Sequence, residues 1–148
     1  HLNHDVSIAG PERRGLLHCE LRAPGFDRPL HVICAHLGLA ENHRRKQLEM
    51  MCAIIRNDVP PDAPIIVAGD FNDWRRHAHS TLKDGADLDE VFLTANRRSA
   101  RTFPAKFPVL ALDRIYVRGV ASHRPSPLPK HPWASLSDHA PLAADLVL

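Results

Sequence analysis

The stretch IIVAGDFNDW, residues 65–74, carries an apolar run directly into acidic, aromatic and amide side chains. Its β-branched and small apolar residues predict a buried strand, and Gly69 marks a point where the backbone turns or is closely approached. Because strand side chains alternate between faces, Asp70 and Asn72 should project together and Phe71 away from them. This arrangement presents a carboxylate and an amide to one ligand. The alternative is a turn, since Asp and Asn also stabilise turns by bonding to the backbone.

Two segments before this stretch predict a β-hairpin. GLLHCELRA (15–23) and LHVICAHL (30–37) alternate apolar and polar residues, which is the period of a strand with one buried face. In the first segment we expect Leu17, Cys19 and Leu21 to form the buried face. Turn-forming residues lie between the segments, so the two strands should pair through a short connection.

A helix should follow the hairpin and pack on the sheet. ENHRRKQLEMMCAIIRN (41–57) spaces its apolar residues as the buried side of a helix does. The prolines of VPPDAP (59–64) end this helix, because proline cannot continue the hydrogen-bond ladder. DLDEVFLTA (87–95) predicts a second, short helix. On the first helix, the charged residues that we expect in water are Arg44, Arg45, Glu49 and Arg56.

The last third of the chain returns to strand patterns. VLALDRIYVRG (109–119) predicts one strand, whereas ASHRPSPLPKHPW (121–133) carries four prolines and predicts a surface loop. Strands interrupted by helices, with hairpin-like neighbours, indicate a layered α/β arrangement with a mixed or antiparallel sheet. A final strand is predicted from the alternating residues Leu142, Ala144, Leu146 and Leu148.

The composition is typical of an ordinary globular protein. A length of 148 residues fits one domain over 1–148, and 44% hydrophobic against 24% charged residues excludes a disordered chain. No apolar run is long enough to span a bilayer. The formal net charge of +2 is too small to indicate a nucleic-acid partner by its field alone.

The cysteines indicate the cellular compartment, and the first residue indicates processing of the chain. Cys19, Cys34 and Cys52 have neither paired nor metal-type spacing, and we interpret them as small buried hydrophobes. This interpretation favours a reducing compartment and a cytoplasmic location. The chain has no signal-peptide pattern and begins at His1, so we expect a processed or truncated product.

Polar residues occupy the ends of four apolar strands, at His36, Asp70, Asp113 and His139. Burial of an ionised carboxylate without a partner costs roughly several kcal/mol of stability. Asp113 therefore needs a partner. His139 is a suitable one, because an Asp fixes the tautomer of an imidazole. Each residue alone also has a structural explanation, as a bonded core histidine or a turn aspartate. Their recurrence at four strand ends favours one shared site.

These residue types suit phosphate-ester chemistry. Asp70, Asn72 and Asp138 supply the hard oxygen ligands that Mg²⁺ or Mn²⁺ accepts, and the lack of a nearby thiolate argues against structural zinc. His36 and His139 can transfer protons or neutralise a phosphate. Metal, carboxylate and imidazole together are the parts needed to hydrolyse a phosphate ester with an activated water.

Four motifs, AHLGL (35–39), GDFND (69–73), LDRIYV (112–117) and SDHAPL (137–142), resemble the endonuclease/exonuclease/phosphatase superfamily of metal-dependent phosphoesterases. The resemblance runs from GLLHCEL to the C-terminus. It implies a four-layered, deoxyribonuclease-like α/β sandwich, with two mixed sheets face to face and helices outside. It also implies Mg²⁺- or Mn²⁺-dependent hydrolysis by a phosphodiesterase, nuclease or phosphatase.

The family pattern implies a catalytic role for each matching residue. His36 would contact the scissile phosphate, and Asp70 would orient or deprotonate the attacking water with Asn72 beside it. Asp113 would hold His139, which would bind the phosphate or act as the general base, and these alternatives stay open. The metal ligands implied are Asp70, Asn72, Asp138 and His139.

Substrate contacts are predicted from three basic residues. Arg45 resembles part of an R-x-Q pattern that follows the family's histidine motif, although a solvated helix face explains it equally well. The loop 121–133, with Arg124 and Lys130, precedes the SDH motif and is a natural place for specificity. The expected substrate is nucleic acid, a small phosphodiester or a lipid headgroup. Duplex nucleic acid is not favoured, because no basic stripe with interleaved aromatics is present.

One departure from the family concerns its principal metal ligand, a glutamate in an N-terminal strand. Glu12 and Glu20 do not match it, so we expect the C-terminal portion of the domain, with exposed sheet edges that favour a homodimer. The alternative function is a catalytically incompetent fragment or pseudoenzyme that binds phosphorylated ligands or a partner. A weaker alternative is a transition-metal site, for which the candidates are His77, His79, His123 and His131.

Overall fold

The computed structural model describes residues 1–10, 12–22, 24–126 and 128–148. Strands are interrupted by helices along the chain, as the sequence predicts. The elements are β1 (Leu2–Asp5), β2 (Gly15–Leu21), β3 (Leu30–His36), α1 (Glu41–Asp58), β4 (Ile65–Asp70), α2 (Ala78–Ala86), β5 (Asp89–Glu90), α3 (Val91–Asn96), β6 (Asp113–Arg118), β7 (Ser122–Ser126), a 3₁₀ turn (Trp133–Ser135) and β8 (Ala143–Val147).

Within the described residues the strands form a six-stranded sheet in the order β1-β2-β3-β4-β6-β5 and a two-stranded sheet of β7 and β8. The pair β3–β4 is parallel and the other pairs are antiparallel. Because parallel neighbours need a crossover, α1 connects β3 to β4 over one face of the sheet. The predicted β2–β3 hairpin and the α/β fold class with mixed sheets are confirmed.

The hydrophobic core lies between the large sheet and the helices α1 and α2. Ile33, Val67 and Tyr116 from the sheet and Met51 and Leu82 from the helices are all completely buried. Burial of each such side chain is worth about 1.5–3 kcal/mol. This face of the sheet therefore supplies most of the apolar burial, and it leaves the opposite face for polar chemistry.

The prediction for the helix 41–57 is confirmed, except at one residue of its wet side. Arg44 is 2% exposed, and its Nη1 donates to the carbonyl oxygens of Gly38, at 3.2 Å, and Leu39. Its guanidinium carbon also lies 4.3 Å from the centre of the Trp74 ring. A charged side chain is buried here because carbonyls of the β3–α1 loop accept hydrogen bonds from its guanidinium.

The prediction of which face of β2 is buried is wrong. Leu16 and His18 are buried, whereas Leu17 and Leu21 are 39% and 51% exposed. The alternation itself is correct, but both faces of this strand carry apolar residues. The alternation of residues along the strand therefore does not reveal which face packs against α1.

The interpretation of the cysteines as buried hydrophobes holds only for Cys52. Cys34 is exposed and Cys19 is half-buried, because both project from the face of the sheet opposite α1. They are small enough to be tolerated on a partly solvated strand surface.

The prediction of a surface loop over 121–133 was also wrong in part, although Pro127 lies outside the described residues. Ser122–Ser126 forms strand β7, in which Pro125 pairs with Ala144 of β8. A proline is tolerated because an edge strand has a side on which no backbone N–H needs a partner. The final strand is confirmed, although it begins at Ala143.

Two strands lie at the ends of the large sheet, β1 and β5. These are the edges at which the predicted pairing of two copies would take place, and the homodimer stays a prediction. Among the residues that the structure describes, every helix is too short or too polar to cross a bilayer.

Gly69 allows β3 and β4 to approach each other closely. Its φ is +142°, and a Cβ at this position would lie 2.0 Å from the carbonyl oxygen of Ala35. Backbone atoms on a paired strand cannot move away without breaking the ladder. The close approach predicted from the sequence is therefore present.

We expect Gly69→Ala to lower the free energy of unfolding by more than about 2 kcal/mol, through backbone strain and the clash with Ala35. Gly10→Ala is the matched control, because Gly10 has a φ of +138° with no atom within 4 Å of its Cβ. It should cost about 1 kcal/mol from strain alone. Chemical denaturation of the two variants measures the difference, and equal losses would contradict the close approach.

Candidate active site

Three of the predicted site residues lie in a row across neighbouring strands. His36 at the end of β3 pairs with Asp70 at the end of β4, and Asp70 pairs with Asp113 at the start of β6. Directly paired residues share a face of the sheet. Here it is the face opposite α1, and His36 Nε2 lies 3.6 Å from Asp70 Oδ2. The strand pairing thus brings together side chains that are far apart in sequence.

The fourth residue, His139, joins this row from the loop before β8. Its Nδ1 lies 2.8 Å from Asp113 Oδ2, which is a short hydrogen bond between partly buried groups. The carboxylate accepts the Nδ1 proton, and this fixes the tautomer in which Nε2 is free to accept a proton. The Asp113–His139 pair predicted from the sequence is present.

The segment around Thr102 positions this pair and was not identified from the sequence. Thr102 is fully buried, and its Oγ1 accepts from the backbone N–H groups of Leu112 and Asp113, each at 3.3 Å. Its carbonyl accepts from Ala140 N–H at 2.7 Å. Thr102 therefore connects the residue after His139 to the start of β6. A lone Thr in an irregular segment gives no periodic signal that could have revealed this.

The interpretation of the GDFND motif as a turn is confirmed, and its interpretation as a functional site stays a prediction. Asn72 N–H donates to Asp70 Oδ1 at 2.8 Å, which closes a turn, while Asp70 also lies beside His36. Asn72 has a φ of +50° and is buried, and its Nδ2 donates to the carbonyl of Leu37 at 2.9 Å. This bond ties the residue after β3 to the turn after β4. Contact of Asn72 with metal or phosphate stays a prediction.

Electrostatics raise the proton affinity of two groups. Burial raises the pKa of the Asp70 carboxyl above its ordinary 3.8, and the charge of Asp113 adds to the rise against the bond from Asn72 N–H. Burial alone would lower the pKa of His139, but the hydrogen bond and charge of Asp113 outweigh it, so the pKa lies above 6.5. The cluster therefore holds excess negative charge that favours cations.

The donor set fits a divalent cation. Asp70, Asp113 and His139 each offer a ligand atom, and these atoms lie within 4.8 Å of one another. Mg²⁺ takes one or two carboxylates and keeps waters, and Mn²⁺ has similar preferences. A half-buried carboxylate with a raised pKa beside a second carboxylate is stabilised by a nearby cation. Asp113 is hydrogen-bonded to His139. Asp70 is therefore the carboxylate better placed to bind a cation.

The other predicted residues lie farther out. Asp138 is exposed, and its Oδ1 is 3.4 Å from the hydroxyl of Ser137. Arg45 lies on the exposed side of α1, and Arg124 Nε is 3.3 Å from Asp145 Oδ2 on the β7–β8 sheet. Lys130 lines a surface cavity beside the 3₁₀ turn. Their binding functions stay predictions.

Arg14 adjoins the row and was not identified from the sequence. Its Nη1 lies 3.5 Å from His36 Nδ1, and its Nη2 donates to Glu12 Oε1. Arg14 precedes β2, which pairs with β3, so only the strand pairing brings it to His36. Short-range patterns carry no signal of such a contact.

A second group of arginines also gave no signal in the sequence. Arg76, Arg98 and Arg101 line a cavity of about 460 Å³ together with Trp74 and Ala111. The cavity contains one residue that is near the site in sequence, Ala111, two positions before Asp113. It supplies the local positive charge that the small net charge of the chain conceals.

Comparison with known proteins identifies the family. Residues 3–139 match the model of the Endonuclease/Exonuclease/phosphatase family. The chain belongs to this family. Membership supports a function of the phosphoesterase, nuclease or phosphatase kind, as the four motifs imply.

The matched proteins are longer than this chain. The uncharacterized protein YbhP of Escherichia coli K12 is 50% identical over 146 residues, a match that covers 99% of the chain and 57% of YbhP. The chain therefore spans little more than half the length of this relative. Matched structures include truncated TDP2 of Caenorhabditis elegans (TM-score 0.77, 18% identity, 100% of the chain and 65% of TDP2) and the mannosyl-6-phosphatase Bt3783 of Bacteroides thetaiotaomicron (0.64, 18%, 99% and 65%). At these identities the structural likeness establishes the deoxyribonuclease-like fold.

We expect Asp113→Asn to lower the pKa of His139, because it removes the charge that stabilises the imidazolium. Asp138→Asn is the control, and its effect should be smaller, since Asp138 acts on His139 only by a weaker charge interaction. NMR titration of the His139 ring in the presence of a chelator measures both shifts. If the two variants lowered the pKa equally, the hydrogen bond to Asp113 would not be the dominant raising influence.

Proposed function

We propose that the chain hydrolyses phosphate esters with Mg²⁺ or Mn²⁺, by attack of an activated water. The observation that supports this most directly is the row of His36, Asp70 and Asp113 across three strands, with His139 bonded to Asp113. It combines a carboxylate, an oriented imidazole and a second imidazole on one surface. These groups are suited to position a water and to stabilise a phosphate in its transition state.

The proposed catalytic roles follow from the contacts. Asp113 holds His139 in the tautomer whose Nε2 can accept a proton or bind a phosphate oxygen. Asp70 orients the attacking water and is the alternative general base, a role that its raised pKa favours. His36, supported by Arg14, contacts the scissile phosphate. Asn72 keeps the ends of β3 and β4 together.

A divalent cation would be held by Asp70, with Asn72, Asp138 and His139 as the further candidate ligands. When bound, it would neutralise charge on the phosphate and on the leaving oxygen. The protein's own contribution is to keep Asp70 and His139 oriented and partly desolvated. The relatives are longer than this chain. That the whole protein is active is therefore also part of this proposal.

The arginine cavity favours an extended anionic substrate. Its three guanidinium groups can bind phosphates of the substrate, since arginine pairs with phosphate through two parallel bonds. Trp74, which is 43% exposed, offers a ring for stacking. Among the predicted substrate classes, these features favour a single-stranded nucleic acid over a lipid headgroup.

Hydrolysis of bis(p-nitrophenyl) phosphate tests the proposal. We expect turnover with Mg²⁺ or Mn²⁺, loss of turnover with a chelator, and a decrease of at least about 100-fold in kcat/KM for Asp70→Asn. Asp87→Asn is the control, because Asp87 is an exposed carboxylate that pairs with Lys83 on α2. No turnover by the folded chain, together with measurable binding of inorganic phosphate, would favour the incompetent fragment instead.

A second assay separates the arginine cavity from the loop predicted to bind substrate. The double variant Arg98→Gln/Arg101→Gln should raise KM for a short single-stranded oligonucleotide by about tenfold or more, because charge-assisted bonds are lost. KM for the small diester should stay unchanged. A rise in the oligonucleotide KM for Arg124→Gln/Lys130→Gln alone would place substrate at the loop and contradict the cavity.

A further inference from the structure

A cluster of histidines lies on the other face of the large sheet, beneath α1. His4 of β1, His18 of β2 and His31 of β3 project from this face, and Asp58 is the last residue of α1. The rings of His4 and His18 are 5.8 Å apart and those of His18 and His31 are 5.2 Å apart. Because His31 and His36 point to opposite faces of β3, this cluster is separate from the candidate active site.

Buried nitrogen atoms in this cluster lack partners within the described part of the chain. His18 and His31 are 5% and 4% exposed. His4 Nε2, His18 Nδ1 and His31 Nε2 are buried and form no hydrogen bond there. A buried polar atom without a partner costs about 1–3 kcal/mol. Three such atoms in one cluster indicate that something further binds there.

We propose that His4, His18 and Asp58 bind a transition-metal ion of the zinc class. Each offers one ligand atom, and these atoms lie within 4.8 Å of one another, with His4 Nε2 3.8 Å from Asp58 Oδ2. In a tetrahedral zinc site, atoms about 2.0–2.1 Å from the ion lie about 3.4 Å apart. Small side-chain movements therefore close the site, and two imidazoles with one carboxylate leave a fourth position for water.

His31 orients His18 for this purpose. His18 Nε2 lies 2.9 Å from His31 Nδ1, so a proton on His18 Nε2 leaves Nδ1 of the same ring free for the ion. The neutral ring is the form of histidine that binds metals.

The ion would connect the edge strand β1 to the C-terminal end of α1 and to β2. This connection between elements is distinct from the hydrolysis proposed above. The ligands differ from the histidines singled out in the sequence. Of those, His77 has its Nδ1 3.3 Å from Glu41 Oε1, and the ring of His79 stacks on that of Tyr116.

Metal titration of the full chain tests the site. The Asp70→Asn background in excess Mg²⁺ removes competition from the first cluster. There we expect one Zn²⁺ per chain by calorimetry, and a visible absorption band with Co²⁺ of the kind tetrahedral sites give. His4→Gln and Asp58→Asn should each weaken binding at least about tenfold and remove the band. The matched controls are Asp62→Asn and His131→Gln, an exposed carboxylate and an exposed histidine elsewhere, which should bind as the background does.

Thermal melts make the test robust to folding defects. Zn²⁺ should raise the Tm of the background and of the controls, but not that of His4→Gln or Asp58→Asn. Asp58 is exposed, so its variant should fold even where His4→Gln does not. Absence of stoichiometric Zn²⁺ binding, or equal binding by the background and Asp58→Asn, would overturn the proposal.

Discussion

The pairing of β3 with β4 is the constraint on which the candidate active site depends. Gly69 has no side chain, and this allows its backbone to lie against Ala35 on the neighbouring strand. The register that follows places His36 beside Asp70, and the pairing with β6 places Asp113 next in the row. The distances between the site residues are thus set mainly by backbone hydrogen bonds, which are stiffer than contacts between side chains. A site built on paired strand ends is already ordered before any ligand binds.

Asp70 in this row works against stability when it is ionised, which is typical of functional sites. The pKa values of Asp70 and His139 are both raised in the folded protein. A raised pKa means that the folded state binds the proton more tightly, so each group stabilises the fold at low pH. That stabilisation is fully present below the ordinary values of 3.8 and 6.5 respectively, and it is lost as pH rises through the raised pKa of each group. Near neutral pH, a bound cation would offset the cost of ionised Asp70.

Local patterns predicted most of the elements and the residues that the structure brings together in the candidate site, but not the sides on which residues face. The alternation of apolar and polar residues predicted β2 and β3. Polar residues at the ends of apolar strands indicated His36 and Asp113. The buried face of β2 was misassigned, because both of its faces carry apolar residues. Arg44 was misplaced, because its burial depends on carbonyls of a loop whose path the sequence does not reveal. Arg14 and the arginine cavity were missed, since strand pairing and chain folding bring together residues that are distant in sequence.

The position of His139 shows how the two sheets depend on each other. Its loop is attached on both sides to the segment before β6, by bonds from Ala105 N–H to the Asp138 carbonyl and from Ala140 N–H to the Thr102 carbonyl, each at 2.7 Å. The ring itself lies 5.1 Å from that of Phe103 and is only partly buried. Few apolar contacts therefore hold the imidazole, and polar bonds set its place. Such a segment can open locally without global unfolding, so the geometry of the candidate site should be lost under milder conditions than the fold.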